Sequence, residues 1–162
     1  MLLDRAGVAP GMRVLDAGCG PGRLTIPAAE RVGSEGEVVA LDVQEDMLAR
    51  VRRNVVSHGL TNVRTVLGGL ESVTTVEGVG AGTFDRALLV AVLGEVPNRE
   101  NALLALRAAL KPGGILSITE VIPDPHYQTS GTVRHLAEDA GFQLVESYGT
   151  PLAFTLNLRR GE

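Results

Sequence analysis

The sequence predicts an α/β fold: a seven-stranded, mostly parallel sheet with one antiparallel C-terminal strand. Three observations predict it. Short apolar runs alternate with longer stretches of helical periodicity, which is typical of βαβ units and a parallel sheet. A glycine-rich turn follows the first apolar run, at the kind of strand end where such sheets bind ligands. The last two apolar runs flank only a short turn, Gly149-Thr150-Pro151, and short connections join antiparallel neighbours.

The predicted strands are the apolar runs at residues 13–16, 37–42, 63–67, 84–90, 114–121, 143–148 and 153–158. The predicted helices between them cover residues 21–32, 45–58, 99–110 and 132–140. In the second helix, Leu48, Val51 and Val55 recur at helical spacing, and Gly59 follows as a stop. The third helix leads into a Pro112-Gly113-Gly114 turn. Segment 68–82 has no sustained period, and only a short helix near residues 70–73 is expected there.

Length and composition indicate a single soluble domain over residues 1–162. Hydrophobic residues make up 44% of the 162 residues, which is enough to bury a sizeable core. The net charge of −4 provides no basic face for nucleic acid or an anionic membrane. The single cysteine excludes a disulfide framework and a metal site of several thiolates. Without a leader or membrane-spanning run, a cytoplasmic protein is expected, with no nucleic-acid, membrane or metal partner.

The first strand and its turn, VLDAGCGPG at residues 14–22, form the most informative motif. Glycine tolerates positive φ and lets a ligand approach the backbone closely. The dinucleotide fingerprint G-x-G-x-x-G needs glycine where this chain has Arg23, which argues against a nicotinamide oxidoreductase. Asp42 ends the second strand about twenty residues further on, where a carboxylate can accept hydrogen bonds from ribose hydroxyls. The alternative is that Asp42 only caps the following helix.

This glycine spacing, with the runs DVQEDML at 42–48 and LKPGG at 110–114, resembles the class I S-adenosylmethionine-dependent methyltransferases. Within that superfamily it is similar to the branch that includes ubiquinone/menaquinone and arsenite methyltransferases. The resemblance implies a Rossmann-like three-layer α/β/α sandwich, with S-adenosylmethionine as cofactor and S-adenosylhomocysteine as its product. Methyl transfer is an in-line displacement, so the protein has to orient two ligands and exclude water. Arsenite chemistry needs several thiols, so the single cysteine favours a small organic acceptor.

The resemblance also implies how the cofactor is held. The glycine loop wraps its methionine part, while Val43 and Met47 pack on adenine, although Met47 can equally be a core residue. Gly69 and Leu70 offer main-chain groups to the adenine edge. The candidate cofactor-binding residues are Asp16, Gly18, Cys19, Gly20, Asp42, Val43, Met47, Gly69, Leu70 and Val90.

Two of these candidates have a second interpretation that does not involve contact with the cofactor. Asp16 either steadies the loop or the cofactor's amino group, or accepts hydrogen bonds from loop amides only. Cys19 is interpreted as a small residue packed beside the loop rather than as a nucleophile.

The methyl acceptor of this family docks at the carboxyl ends of the fourth and fifth strands. Glu95, after the fourth strand, is a candidate to orient the acceptor or act as a base, or is a solvated loop residue. His126 and Tyr127 cluster after the fifth strand, where histidine can serve as a general base. The same loop contains two prolines and can be only a rigid connection. No catalytic residue is assigned beyond these three candidates.

The alternative function is that of a protein with the same fold that binds the cofactor but transfers no methyl group. The family commonly has an acid after the third strand that binds the adenine amino group, but here Gly68, Gly69 and Leu70 precede Glu71, which stands displaced. Only 13 residues precede Val14, whereas relatives carry extra helices that cover the acceptor site. We therefore expect a pocket that is open, or is closed by another subunit of a homo-oligomer or by a missing segment.

Overall fold

The computed structural model describes residues 1–76 and 79–162. The strands are β1 (Arg13–Ala17), β2 (Glu37–Asp42), β3 (Val63–Leu67), β4 (Phe84–Val90), β5 (Leu110–Val121), β6 (Phe142–Thr150) and β7 (Ala153–Arg160). The helices are α1 (Leu2–Ala6), α2 (Thr25–Val32), α3 (Glu45–Ser57), α4 (Arg99–Ala109) and α5 (Ser130–Asp139). Two 3₁₀ helices cover Leu70–Thr75 and Leu93–Glu95. None of the helices in this described part of the chain is long and apolar enough to span a bilayer.

All seven strands belong to one sheet with the order β3-β2-β1-β4-β5-β7-β6. Strands β1 to β5 pair in parallel, and β7 is inserted antiparallel between β5 and β6. The predicted sheet with one antiparallel C-terminal strand is therefore confirmed. The chain first builds outward from β1 to β3 and then returns to place β4 on the other side of β1. The loops after β1 and β4 consequently diverge and leave a crevice at the carboxyl ends of these strands.

Helices cover both faces of the sheet, which confirms the three-layer sandwich. On one face, Leu103 and Leu106 of α4 pack with strand residues such as Leu15 in the main hydrophobic cluster. On the other face, Val32 of α2 packs with Val14, which is the neighbour of Leu15 in β1. Adjacent strand residues face opposite layers because side chains alternate along a strand. This two-sided burial is why the central strands are apolar runs rather than alternating ones.

Most element boundaries lie within two residues of those that the sequence predicts, and the larger differences concern α2, β5 and α1. Helix α2 begins at Thr25 rather than at residue 21, because Gly22 has φ of 96°, which is incompatible with an α-helix. Strand β5 begins at Leu110, which pairs with Phe84; the ladder then breaks until Ile115 pairs with Arg86. The predicted proline-glycine turn thus lies inside β5, as an excursion from the ladder. Helix α1 has only five residues, too few for a periodic signal.

Candidate cofactor site

A cleft of about 630 Å³ opens at the carboxyl ends of the strands, where the strand order reverses. Its walls come from the loops that follow β1, β2, β3 and β4. This volume falls within the range of small-molecule sites, about 300–1,000 Å³. The candidate cofactor-binding residues that line the cleft are Gly18, Gly20, Asp42, Val43, Met47, Gly69, Leu70 and Val90. Asp16 and Cys19 lie behind it.

The glycine loop forms one wall of the cleft and is tied to β2. The backbone N–H groups of Gly18 and Cys19 both donate to the carbonyl oxygen of Leu41, at 2.8 and 2.9 Å. Gly18 has φ of 72°, and a Cβ built on it would lie 2.7 Å from a methyl carbon of Val92. A Cβ on Gly20 would meet no atom within 4 Å. The loop therefore packs against the protein at Gly18 and faces open space at Gly20.

Asp42 joins the glycine loop to the start of α3. One carboxylate oxygen accepts a hydrogen bond from the backbone N–H of Gly20 at 3.0 Å, and the other accepts from Gln44 N–H at 2.9 Å. The N-cap of α3 is Gln44, so the alternative that Asp42 is the capping residue of this helix is wrong. A carboxylate has about four acceptor positions. Asp42 therefore retains acceptor capacity toward the cleft after binding both amides.

Asp16 lies under the loop and is 4% exposed. One of its carboxylate oxygens accepts a hydrogen bond from the Thr25 hydroxyl at 2.6 Å, at the first turn of α2. Within residues 1–76 and 79–162, no loop amide donates to it. Burial raises the pKa of Asp16 to about 6; the Thr25 hydrogen bond opposes this, and the charge of Asp42 adds to it. Asp16 thus ties the end of β1 to the first turn of α2 and does not line the cleft.

The raised pKa of Asp16 predicts a pH dependence of stability. The folded protein keeps this carboxyl protonated between about pH 4 and pH 6, where the unfolded chain has already lost the proton. The free energy of unfolding should therefore fall as pH rises through this window, by about 3 kcal/mol in total. Urea unfolding of the wild type and of Asp16→Asn at pH 4, 5, 6 and 7 isolates this contribution as their difference. A difference that does not vary with pH would contradict it.

Cys19 is a packed residue, in surroundings that disfavour a thiolate. Its side chain lies in a small apolar cluster with Ala40, Leu48 and Val51, and is 8% exposed. Burial raises the pKa of the Cys19 thiol strongly, and the charges of Asp16 and Asp42 raise it further. Reactive cysteines need a lowered pKa, because the thiolate is the attacking species.

The far end of the cleft is apolar, with one carboxylate at its edge. Val43 is 67% exposed although it is aliphatic, and it lines the cleft together with Met47 and Leu70. Glu71 folds back over Gly69, so that a Cβ built on Gly69 would lie 2.7 Å from a Glu71 carboxylate oxygen. These residues provide two apolar surfaces and a hydrogen-bond acceptor beside them.

The catalytic candidates lie in two different environments. Glu95 is exposed and lines the cleft, next to the loop in which Ala91 has a positive φ of 54°. His126 and Tyr127 do not line it. The Tyr127 hydroxyl donates to the carbonyl oxygen of Pro151, and its ring contacts Phe154 edge to face. The ring and hydroxyl of Tyr127 therefore anchor its loop to the β6–β7 turn.

One buried acid was missed in the sequence. Glu120 is the penultimate residue of β5 and is 1% exposed. Burial and the charge of Asp124 raise the pKa of Glu120 to about 7, despite the opposing effects of the Gln128 N–H and Arg99. The available signal was a single acid in the otherwise uncharged run ILSITEV, directly at the carboxyl end of a strand.

The fold and the cleft define a class of protein: an α/β sandwich with a ligand-sized cleft at its topological switch point. Residues 9–146 match the methyltransferase domain family. The chain belongs to this family, and the resemblance to class I S-adenosylmethionine-dependent methyltransferases is confirmed.

The similar proteins include enzymes with different acceptors. The chain is 32% identical over 152 residues to the ubiquinone/menaquinone biosynthesis C-methyltransferase UbiE of Idiomarina loihiensis, covering 93% of this chain and 57% of that protein. It is 33% identical over 125 residues to the nocamycin O-methyltransferase of Saccharothrix syringae, covering 76% and 43%. The chain thus spans about half the length of these relatives.

A solved structure shares the fold. It is an S-adenosylmethionine-dependent methyltransferase from Aquifex aeolicus, with a TM-score of 0.86 at 24% identity, covering 98% of this chain and 87% of that one.

Proposed function

We propose that this protein binds S-adenosylmethionine in the cleft and transfers the cofactor's methyl group to a small organic acceptor. Family membership supports the reaction class. The observation that carries the proposal is the position of Asp42, whose carboxylate lines the cleft between the glycine loop and α3. A carboxylate at the end of this strand is matched to a vicinal diol, because it can accept from both hydroxyls.

The donors and surfaces of the cleft fit each part of the cofactor. Asp42 would hold the ribose, and the apolar side chains of Val43 and Met47 would pack on adenine. The open space above Gly20 leaves room for the methionine part to approach the loop backbone. When bound, S-adenosylmethionine supplies an electrophilic methyl group carried on a sulfonium.

The tasks of the chain itself are binding, orientation and exclusion of water. The Leu41 carbonyl and the Asp42 carboxylate together fix the backbone of the glycine loop, so that its geometry exists before the ligand binds. On the acceptor side, Val92 and Val96 present apolar surface to the cleft. Such surface excludes water and favours an uncharged part of an organic acceptor. Holding two ligands in reactive geometry can account for a large share of the rate enhancement.

Two measurements test this function. Calorimetry with S-adenosylmethionine, S-adenosylhomocysteine and NAD should show binding of the first two only. Incubation with methyl-labelled S-adenosylmethionine and a metabolite extract should then give a labelled small-molecule product. Binding without labelled product across extracts would favour a cofactor-binding protein that does not transfer methyl groups. Absence of binding to either sulfur compound would overturn the cofactor assignment.

Glu71 is expected to accept a hydrogen bond from the adenine amino group. A hydrogen bond to a charged acceptor contributes about 1.5–3 kcal/mol, so Glu71→Ala should weaken S-adenosylhomocysteine binding by about tenfold or more. The wild type should also prefer S-adenosylhomocysteine over its inosine analogue, which lacks the amino group, and Glu71→Ala should lose most of that preference. Glu100→Ala, at an exposed acid on α4, serves as the matched control. An unchanged preference in Glu71→Ala would place the adenine edge elsewhere.

A further inference from the structure

The carboxyl group of Glu120 is buried at the acceptor end of the sheet without a full set of partners. Its side chain is 1% exposed, and its Oε1 atom has no hydrogen-bond partner within the described ranges, residues 1–76 and 79–162. Leu116 and Ile118, at alternate positions before it in β5, pack into the main cluster with α4 and α5. Glu120 therefore faces the same layer. A buried, unpaired carboxylate oxygen costs about 1–3 kcal/mol or more, which calls for a functional reason.

Groups from three segments face this carboxyl. From the loop after β5, the backbone N–H of Gln128 donates to it, and the Asp124 carboxylate repels its charged form. From the start of α4, the Arg99 guanidinium attracts the charged form, and from the Leu93–Glu95 3₁₀ helix, Glu95 repels it. Burial is the largest effect. Glu120 is thus the common neighbour of the 122–128 loop and of the 93–99 segment, whose residues Glu95 and Val96 line the acceptor half of the cleft.

The 93–99 segment is braced internally and also contacts the 122–128 loop. Within the segment, Arg99 donates from Nε to the Leu93 carbonyl and from Nη2 to the Gly94 carbonyl, both at 3.1 Å. A Cβ built on Gly94 would lie 1.8 Å from the carbonyl oxygen of His126, so the two backbones are in direct contact there. Glu95, the next residue, lines the cleft. Gly94 therefore connects the 122–128 loop to the residue that lines the cleft.

We propose that Glu120 is a positioning residue, whose protonated carboxyl group holds the 122–128 loop against the 93–99 segment and so sets the shape of the acceptor half of the cleft. That this half of the cleft receives the methyl acceptor rests on the proposed function. The contact between the 122–128 loop and the 93–99 segment does not depend on that function.

Protonation favours the packed arrangement for a physical reason. A neutral carboxyl avoids the cost of a buried charge and the repulsion from Asp124 and Glu95, and this is why the pKa of Glu120 is raised to about 7. The packed arrangement thus binds a proton that a solvated carboxyl would have lost near pH 4.5. By linkage, its stability falls as pH rises from about 4.5 through about 7. The loops should loosen on the alkaline side of this window.

Nuclear magnetic resonance of the ligand-free protein tests this coupling. The backbone amides of Gln128 and Gly94 should shift together in a pH titration, with one midpoint near pH 7. In Glu120→Gln, whose amide is neutral at every pH, that step should be lost at both amides. In Asp124→Asn the midpoint should fall, because one repelling charge is removed. His126→Gln should leave the step in place, which excludes the imidazole of the loop as its source, as should the surface control Glu100→Gln.

The outcomes separate this role from a structural one and from the proposed function. If Glu120 were needed only for packing, Glu120→Gln would lower the melting temperature. The wild type would then show no shared titration step at Gln128 and Gly94 for the variant to lose. A step that persists in Glu120→Gln, or that appears at Gln128 but not at Gly94, overturns the proposal. If Glu120→Gln fails to fold, an unchanged midpoint in Asp124→Asn overturns it. Because no cofactor is present, the result stands or falls independently of S-adenosylmethionine binding.

Discussion

Replacing Asp42 with alanine is expected to weaken the binding of S-adenosylhomocysteine by about 100-fold. The carboxylate would accept hydrogen bonds from the ribose, and it already accepts from the backbone N–H groups of Gly20 and Gln44 at 3.0 and 2.9 Å. Its removal thus loses ligand contacts and also releases the glycine loop from the start of α3. Hydrogen bonds to a charged group contribute about 1.5–3 kcal/mol each, and 1.4 kcal/mol corresponds to tenfold in affinity.

The measurement is calorimetry of S-adenosylhomocysteine with the wild type and the variants. Asp46→Ala is the matched control, because Asp46 is an exposed acid in the first turn of the same helix and does not line the cleft. Asp42→Asn separates the two contributions, since an amide oxygen can still accept from one backbone N–H. Equal affinities of Asp42→Ala and Asp46→Ala would show that the carboxylate does not hold the ligand.

Replacing Gly18 with alanine is expected to destabilise the fold and impair ligand binding together. Gly18 has φ of 72°, and this conformation costs a residue with a side chain about 1–2 kcal/mol. The new methyl group would also lie 2.7 Å from Val92, which lines the cleft and would be pushed into it. We expect a melting temperature lower by roughly 5 °C and a Kd for S-adenosylhomocysteine higher by about tenfold or more.

Two further variants resolve these contributions. Gly20→Ala places alanine at a positive φ of 55° but meets no protein atom within 4 Å, so it reports the backbone cost without the clash. The double variant Gly18→Ala/Val92→Ala removes the clash and should recover part of the lost stability, as a non-additive interaction of the two sites. Additive losses in the double variant would contradict the packing explanation.

The order and type of the elements could be predicted because they depend on local patterns. The runs that form β2, β3 and β4 were predicted with the bounds that the structure has, since each is a short stretch rich in aliphatic residues between segments of helical or irregular pattern. The errors lie at places where a local signal competes with tertiary contacts. Pro112 and Gly113 indicated the start of a strand, whereas pairing of Leu110 with Phe84 extends β5 to a point before them.

The candidate site could be predicted only in part. The glycine loop and Asp42 carry a spacing that can be recognised without coordinates. Whether a side chain lines the cleft cannot be recognised from spacing. Asp16 and Cys19 belong to the motif, but they contact Thr25 and a small apolar cluster instead of lining the cleft. Glu120 was missed because an acid in a strand is typically exposed, and its burial results from the packing of two loops that are distant in sequence.

The sequence by itself determined the class of the fold, the family and the position of the cofactor motifs, because these depend on hydrophobic period, glycine conformation and spacing along the chain. The tertiary structure decided which motif residues face the cleft, and that Gln44 rather than Asp42 caps α3. It also brought Arg99, Gly94, Glu120 and Gln128 together from separate parts of the chain. The physical reason is that burial and electrostatic environment depend on contacts between distant segments, which no local pattern encodes.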